Sequence, residues 1–435
     1  MTPNPKIVKS VEKLDYRVTV GDVAAQAGLE LNFAQQGLLA LASEAGGHLQ
    51  VAESGDVVYL FPKNFRSILR NKYWQLRWQQ TWEKVWRVLF YLIRISFGII
   101  LIASIALMVV AIIAIYIAMN SSSDEREGGN NRGYGGGGGF YFVPRFWLGD
   151  FFLWFDPGYN RRRRQRRRQA TGSYQMNFLE SVFSFLFGDG NPNADLEEDR
   201  WQSIGSVIRS HKGAVVGEQI APYVDEMDRD EDYMLPVLSR FNGYPEVSPQ
   251  GEIIYYFPEL QVMASSRQLE PVTSAGYLQE KPWRFSQATS GQITLAAGLG
   301  AVNIILAFVL GTLLQDGTIA AELGGIVAFA ASIQWLLLGY GVLYLLIPMI
   351  RYFWIQGRNP KIVKRNQSRE QRAIALHQPD LSLRQKIAYA SQFAQQKVIS
   401  EGDITYTTED DLLDQNIKNA DKIDRDWQQR LESGS

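Results

Sequence analysis

Long runs of apolar residues without charge are the strongest feature of the hydropathy pattern. The most apolar run, residues 95–119 (ISFGIILIASIALMVVAIIAIYIAM), contains no charged side chain. As a helix it would be about 37 Å long, enough to cross a bilayer hydrocarbon core of about 30 Å. Residues 291–315 and 325–350 form two further runs of this kind. The pattern therefore predicts an α-helical membrane protein with transmembrane helices at these three ranges.

A weaker apolar segment lies at 140–156, where aromatic residues are interrupted by Pro144, Arg145 and Asp150. Lys and Arg are concentrated before the first span and after the last, and such residues favour the cytoplasmic side of a membrane. Both chain ends are therefore expected in the cytoplasm, or in the stroma of a plastid. This requires an even number of crossings, so we predict 140–156 as a return or re-entrant membrane segment. Three crossings, with this segment on the outer surface, remain the alternative.

Two polar regions show helical periodicity followed by strand alternation. Residues 1–64 and 201–262 each predict three helices and a β-hairpin, the element order of a winged helix-turn-helix domain. A constant offset of 196 aligns residues 6–62 with 202–258 without a gap. The residues that define the repeat are Gly21, Gly55, Tyr59, Phe61 and Pro62 in the first copy, and Gly217, Gly251, Tyr255, Phe257 and Pro258 in the second. We therefore predict two duplicated winged-helix-like α/β (α+β) domains in the cytoplasm.

The remaining ranges connect these domains to the membrane. They are predicted as an amphipathic Trp-rich interfacial helix at 65–94, a Gly-rich loop at 120–139, a basic run, amphipathic patch and acidic linker at 157–200, a linker at 263–290, and a cytoplasmic helical tail at 351–435. In the tail, an amphipathic helix is predicted at 381–398 and a second helix from Tyr406, with Thr408 as its cap. Asn303 and Gln334 are expected to hydrogen-bond between spans, where glycines allow close approach.

Indole and arginine side chains near the spans are candidates for anchoring at the membrane surface. Trp at headgroup level and basic side chains near anionic lipid, each worth about 1 kcal/mol, both favour such a position. The candidates are Trp74, Trp78, Trp82 and Trp86, which follow one helical face, and Arg161, Arg162, Arg163, Arg164, Arg166, Arg167 and Arg168 of the run RRRRQRRR. Anionic headgroups of membrane lipids are therefore expected partners.

The composition argues against several kinds of chemistry. The chain contains no cysteine and only three histidines. This excludes disulfides, cysteine nucleophiles, thiolate zinc sites and cysteine-ligated iron–sulfur clusters. The Gly-rich loop has no Walker lysine, and no motif brings a nucleophile and a base together. We therefore expect no enzyme, no cofactor and no metal site.

The presumed recognition helix argues for protein partners. Residues 32–45 (NFAQQGLLALASEA) contain no Lys or Arg. Nucleic-acid binding needs cations that contact phosphates, so nucleic acid is disfavoured and protein docking is favoured. The alternatives are a membrane-tethered regulator that binds nucleic acid or ribosomes through the arginine run, and a small-solute transporter. The sequence leaves open whether the chain forms a homo-oligomer.

The whole order of elements resembles a known family. With FLWFDPGYNRRRR, IIYYFPEL and YTTEDDLL, the chain is similar to a poorly characterised membrane protein family of cyanobacteria and chloroplasts, whose plant members are labelled iron–sulfur cluster biosynthesis proteins. The resemblance implies a photosynthetic organism and a thylakoid or plasma membrane location. It supplies no catalytic residues, and a chain without cysteine is not a conventional cluster scaffold. We expect a non-enzymatic membrane scaffold or assembly factor that docks partner proteins, such as photosynthetic membrane complexes during biogenesis.

Overall fold

The computed structural model describes residues 3–72, 74–121, 176–225, 231–265, 276–315, 317–411, 415, 427–428 and 431. The chain divides into two units. The module unit consists of Met1–Trp86, Asn191–Trp283 and Gln356–Ser435, and the apolar unit consists of Arg87–Gly190 and Arg284–Ile355.

The first module of the module unit contains three helices and a three-stranded antiparallel sheet. Its elements are α1 (Pro5–Lys13), β1 (Arg17–Thr19), α2 (Val20–Ala27), α3 (Leu31–Ala45), β2 (His48–Ala52) and β3 (Val57–Leu60). The strands of this module have the order β1-β3-β2. Gly46 ends α3 in the left-handed conformation, because glycine has no Cβ to clash there. The predicted hairpin is confirmed, since β2 and β3 pair antiparallel on either side of Gly55.

A long helix follows the first module. The chain continues with α4 (Phe65–Lys72), α5 (Trp74–Ser121) and, beyond the residues that are not described, α6 (Phe178–Phe187). The predicted interfacial helix at 65–94 and the predicted span at 95–119 are joined, since α5 runs through residue 94 without interruption. No proline lies near residue 94 to end a helix. The return segment 140–156 and the arginines at 161–168 lie outside the described residues.

The second module repeats the strand order of the first. Its elements are α7 (Leu196–Ser210), β4 (Ala214–Val216), α8 (Gly217–Ile220), α9 (Leu235–Phe241), β5 (Tyr244–Val247), β6 (Ile253–Tyr256), α10 (Pro258–Gln261) and β7 (Val262–Met263). Its sheet has the order β4-β6-β5. Gly55 and Gly251 form the hairpin turns with φ of 86° and 85°, values that favour glycine. The two wings therefore have the same local geometry.

The ungapped alignment of the two modules is wrong by one residue in their first halves. Arg17 pairs with Leu60, and Ala214 pairs with Tyr256. The first strands therefore differ by 197 (214 − 17), whereas the third strands differ by 196 (256 − 60). The reason lies between them, where α3 has 15 residues and α9 only 7. Because the offset of 197 also holds for the starts of α2 and α8, Gly21 and Gly217 are not equivalent positions.

The apolar unit contains most of the long apolar helices. The elements are α11 (Ser290–Leu313), α12 (Thr318–Leu323), α13 (Gly325–Ser332) and α14 (Gln334–His377), whose end extends into the module unit. Among the described residues, three helices are long and apolar enough to cross a membrane: Lys84–Asn120, Ser290–Leu313 and Gln334–His377. They coincide with the three strongly apolar runs of the sequence. The third predicted span, 325–350, is interrupted at Ile333 and continues far beyond residue 350.

The sequence predicts that glycines allow the apolar helices to approach each other closely, and the structure shows such packing at only some of them. A Cβ on Gly300 would overlap the ring of Tyr344, and one on Gly341 would meet Asn303. Gly298 and Gly339 have no such neighbour. Asn303 Nδ2 donates to Ser104 Oγ at 2.6 Å, which confirms a polar contact between two of the long apolar helices.

Between residues 378 and 411, which the structure describes, the tail is less helical than the sequence predicts. Its elements are α15 (Leu381–Ala390), β8 (Lys397–Val398) and β9 (Ile404–Thr407). The predicted helix at 381–398 therefore ends early, and the predicted helix from Tyr406 begins in a strand. The physical reason is that distant segments bind the backbone here: Gln395 N–H donates to Lys212 O, and Ile399 N–H donates to Met263 O.

Candidate interaction surfaces

The contact between the two modules is built around one buried ion pair. Asp22 is 4% exposed and Arg209 is 8% exposed. Arg209 Nη1 donates to Asp22 Oδ1 at 2.5 Å. Asp22 Oδ2 accepts the backbone N–H groups of Thr19 at 2.8 Å and of Ala264 at 3.0 Å. The carboxylate is therefore fully occupied within the chain, and it is not available to a partner.

Small residues let the backbones of the two modules approach closely. A Cβ on Gly205 of α7 would lie 2.9 Å from Ala25 Cα in α2. A Cβ on Gly21 would overlap the carbonyl oxygen of Glu259. The apolar side chains of both modules form one buried cluster. This face of each module is therefore used for contact with the other module and not for contact with a partner.

The tail helix α15 covers the sheet of the second module. Lys386 Nζ donates to Glu218 at 3.0 Å and to Glu231 at 2.7 Å, and the Tyr255 hydroxyl also donates to Glu231 at 2.8 Å. Burial lowers the pKa of Lys386, but the two carboxylates outweigh burial and raise it above its usual value. Burial and the hydrogen bond to Glu231 raise the pKa of Tyr255. The ammonium group is thus retained at neutral pH, and it holds the tail on the module.

A second group of charges attaches α14 to the second module. Arg369 is fully buried, donates to Leu278 O at 3.0 Å and lies 2.9 Å from Glu280. Arg369 also pairs with Asp225, which accepts from Arg200 at 2.7 Å as well. The carboxylate of Asp225 is therefore bound to two arginines. Among the described residues, no group of three or more acidic or histidine side chains could hold a metal ion.

The outer face of α3 is the most open apolar surface on the first module. Phe33 is 47% exposed and Leu39 is 44% exposed. The neighbouring exposed side chains are Asn32, Gln35, Gln36 and Ser43, which carry no charge. In the second module, Leu235 is also exposed at the position that corresponds to Leu39. We call Phe33, Leu39 and the uncharged side chains between them the α3 face.

The residues that define the repeat are structural. Tyr59, Phe61, Tyr255 and Phe257 are buried in the module core. Gly47 lies beneath the ring of Phe61 in the same way that Gly243 lies beneath Phe257, since a Cβ on either glycine would overlap the ring. Pro62 and Pro258 lie two residues after the end of the third strand of each sheet, where proline prevents further strand pairing. These residues therefore explain the shared hairpin geometry and do not form a binding site.

The predicted membrane anchors are described only in part. Trp82 and Trp86 lie on α5 and are more than half exposed. Trp74 and Trp78 belong to the same helix, but their side chains are outside the described residues, as are the arginines at 161–168. Anchoring at the membrane surface stays a prediction for all of them.

The apolar unit contains a polar cluster that sequence reasoning missed. Arg94 Nη2 donates to Asp189 Oδ1 at 2.7 Å, and Ser184 Oγ donates to Asp189 Oδ2 at 2.7 Å. Arg351 Nη1 donates to the carbonyl oxygens of Ser184 and Phe185 at the end of α6. The last carbonyl groups of a helix have no hydrogen-bond donor within the helix, and Arg351 supplies one. The signal in the sequence was the apolar helix of residues 178–187 followed by Gly188 and Asp189.

Comparison with known proteins identifies a relative that aligns with nearly the whole chain. No family model and no solved structure match the chain. A chloroplastic protein of Arabidopsis thaliana, which carries the name uncharacterized protein, is 40% identical over 435 aligned positions. The alignment covers 97% of this chain and 81% of the relative. This supports the predicted resemblance to a poorly characterised plant and chloroplast family. The cyanobacterial members and the iron–sulfur label stay predictions.

Proposed function

Because this chain belongs to the same family as the chloroplastic Arabidopsis protein, we propose that it is an integral membrane scaffold or assembly factor of a photosynthetic membrane. The three long apolar helices and the location in the relative's name support a membrane of a plastid, or of a related photosynthetic compartment. The excess of Lys and Arg before the first span and after the last supports a stromal or cytoplasmic position for the two modules, which we take as duplicated winged-helix-like domains.

The α3 face is the observation that carries this proposal. Phe33 and Leu39 are each almost half exposed on a helix without Lys or Arg. A surface of this kind has no cations for nucleic-acid phosphates, whereas apolar side chains surrounded by amides are suited to contact with another protein. Other faces of the modules are covered by the second module and by the tail. We propose that the α3 face docks a subunit of a membrane protein complex with an exposed apolar surface.

The α3 face also fits a role in assembly. Contacts centred on two partly exposed apolar side chains form a small interface, and small interfaces are typical of transient complexes. An assembly factor must release its client, so a transient interface serves this role. A permanent subunit would be expected to bury a larger and more apolar surface.

Affinity capture from mildly solubilised membranes tests the proposal. The full chain should retain subunits of membrane complexes, and the double variant Phe33→Ser with Leu39→Ser should lose them. Leu381→Ser is the matched control, because Leu381 is a strongly exposed apolar residue on the tail helix α15. The control should retain the same subunits as the unmodified chain.

Other outcomes would support the alternative functions. Recovery of RNA or ribosomal proteins, lost when the arginines at 161–168 are replaced, would favour the nucleic-acid-binding or ribosome-binding regulator. Solute uptake by vesicles that contain the purified chain, without captured protein, would favour the transporter. Capture of the same subunits by the double variant would show that the α3 face is not the docking surface.

A further inference from the structure

The tail strand β9 occupies the free edge of the first module's sheet. Gln50 is opposite Thr407 and Val51 is opposite Tyr406 in an antiparallel pair. Thr408 N–H donates to Leu49 O at 2.9 Å, and Leu49 N–H donates to Thr408 Oγ1 at 2.9 Å. The edge of β2 therefore accepts an extended segment through its backbone, as in β-strand addition.

The equivalent edge of the second module is closed to such a strand. By the offset of 196 that holds for the wings, Pro245 of β5 corresponds to Leu49 of β2. Leu49 uses both its N–H and its carbonyl toward β9, and proline has no N–H. Proline on an edge strand is a known obstacle to further strand pairing. Among the described residues, β5 pairs only with β6. The chain thus presents one edge that accepts a strand and one that does not.

The strand β9 is held mainly by hydrogen bonds and not by apolar burial. Tyr406 is exposed, and none of the four residues of β9 is buried. Thr405 Oγ1 adds a hydrogen bond to Val51 O at 3.1 Å. Because a hydrogen bond within the protein replaces one to water, its net contribution is small, and β9 is weakly held compared with the module core. Such elements open locally without unfolding of the rest.

The connection to β9 can extend without disturbing the rest of the tail. Ile399 is buried and its N–H donates to Met263 O, so the part of the connection that can extend is residues 400–403, which include the turn Glu401–Asp403. Four extended residues span roughly 13 Å. If the turn opens, the strand leaves its own module while α15 and β8 stay in place. A second copy has the same β2 edge and can offer the same contacts.

We propose that the β2 edge of the first module binds residues 404–408 of a second copy of this chain, and that two copies pair by exchanging this strand. The exchange is reciprocal, so it closes as a two-fold dimer and leaves no free strand. The hydrogen bonds of the β2–β9 pair then form between the two copies. Opening of the turn breaks the bond from Glu53 N–H to Asp403 O and those from Ser400 to the Asp403 carboxylate. The second module takes no part because Pro245 closes its edge. This interaction is separate from the α3 face.

Engineered cysteines test the exchange, because the chain has no cysteine of its own. Gln50 and Thr407 are directly opposite each other. The N–H of Thr407 donates to Gln415 Oε1 and not to β2, so this is a non-hydrogen-bonded pair. The Cα atoms of such pairs are about 4.5 Å apart, within the range for a disulfide. Full-length Q50C and a full-length T407C chain with a longer tag are purified in detergent, mixed and oxidised.

The proposal expects a covalent species that contains one chain of each length on a non-reducing gel. E246C replaces Q50C as the matched control, since Glu246 holds the same place on the closed edge of the second module. The control should give no such species above background. Adding Leu49→Pro to the Q50C chain should abolish the cross-link, because proline has no N–H to donate to Thr408 Oγ1 of the incoming strand.

The double variant Q50C/T407C separates failure of exchange from failure of the strand pair. A disulfide only within each chain, with no mixed species from the single variants, would overturn the proposal and assign the edge permanently to the chain's own tail. Absence of any disulfide in the double variant would overturn it as well, because the β2–β9 pair would then not form. A mixed species equal in amount to the E246C control would show random collision and would also contradict the exchange.

Discussion

Replacing Arg209 by methionine should destabilise the contact between the two modules strongly. The substitution keeps the length and apolar part of the side chain and removes the charge that faces Asp22. Asp22 is then left as a buried carboxylate without a cation, because it is 4% exposed and its Oδ1 loses its donor. Removing one partner of a buried pair is far more costly than removing both.

The contacts of Asp22 narrow the range of stability loss expected for Arg209→Met. Loss of one partner of a buried pair costs about 3–5 kcal/mol. Asp22 Oδ2 keeps two backbone donors, from Thr19 and Ala264, so part of the charge remains solvated by the protein. In addition, Arg209 Nε is buried and has no partner among the described residues, so the original pair is not ideal. We therefore expect a loss of stability at the lower end of this range, about 3 kcal/mol.

Hydrogen–deuterium exchange of the full chain in detergent measures this locally. Peptides from α2 and α7 should exchange about a hundredfold faster in Arg209→Met, since 1.4 kcal/mol corresponds to a factor of ten. The double variant Asp22→Asn with Arg209→Met should recover most of the protection, because no uncompensated charge remains. Arg66→Met is the control: its exposed pair with Glu12 is worth at most about 1 kcal/mol.

Two results would refute this reasoning. If Arg209→Met exchanges no faster than Arg66→Met, the ion pair does not hold the modules together. If the double variant is less protected than Arg209→Met alone, the cost comes from lost packing and not from an unpaired carboxylate.

Further substitutions test other contacts. Asn303→Leu removes the hydrogen bond to Ser104 between two spans and should cost only about 1 kcal/mol, seen as a small fall of Tm in detergent; a fall as large as that of Arg209→Met would contradict a single weak bond. Gly21→Ala places a Cβ against the carbonyl oxygen of Glu259, and should speed exchange in α2 with little effect in α15. Lys386→Met leaves two partly buried carboxylates without a cation and should release the tail, measured as faster proteolysis after α15. Because the folded-state pKa of Lys386 is raised, its contribution is complete at neutral pH and is lost only as pH rises through that value in strongly alkaline solution; tail release near pH 7 in the unmodified chain would contradict this.

Local patterns were sufficient for the spans and the hairpins. A run of 25 apolar residues can hardly be anything but a long apolar helix, and Ser54-Gly55-Asp56 between alternating residues indicates a turn. These features depend on composition and periodicity within a short window. The lack of Lys and Arg on α3 was equally visible in the sequence. The exposure of Phe33 and Leu39 was not, because apolar residues on a periodic helix are ordinarily expected inside.

Contacts between distant residues decided the rest. The sequence offered no reason to pair Asp22 with Arg209, or to place Thr407 beside Gln50. Residues 404–407 (ITYT) are β-branched or aromatic and favour a strand. The sequence did not show which strand they would join, and the free edge of β2 supplied it, because unpaired backbone groups at an edge recruit an extended segment within reach. The one-residue shift between the modules also follows from packing, since buried side chains must meet the core even where identities suggest another register. Pro245 looks like one more proline in the sequence. Only the fold shows that it occupies, in the second module, the position equivalent to Leu49, whose N–H and carbonyl both form hydrogen bonds with the tail.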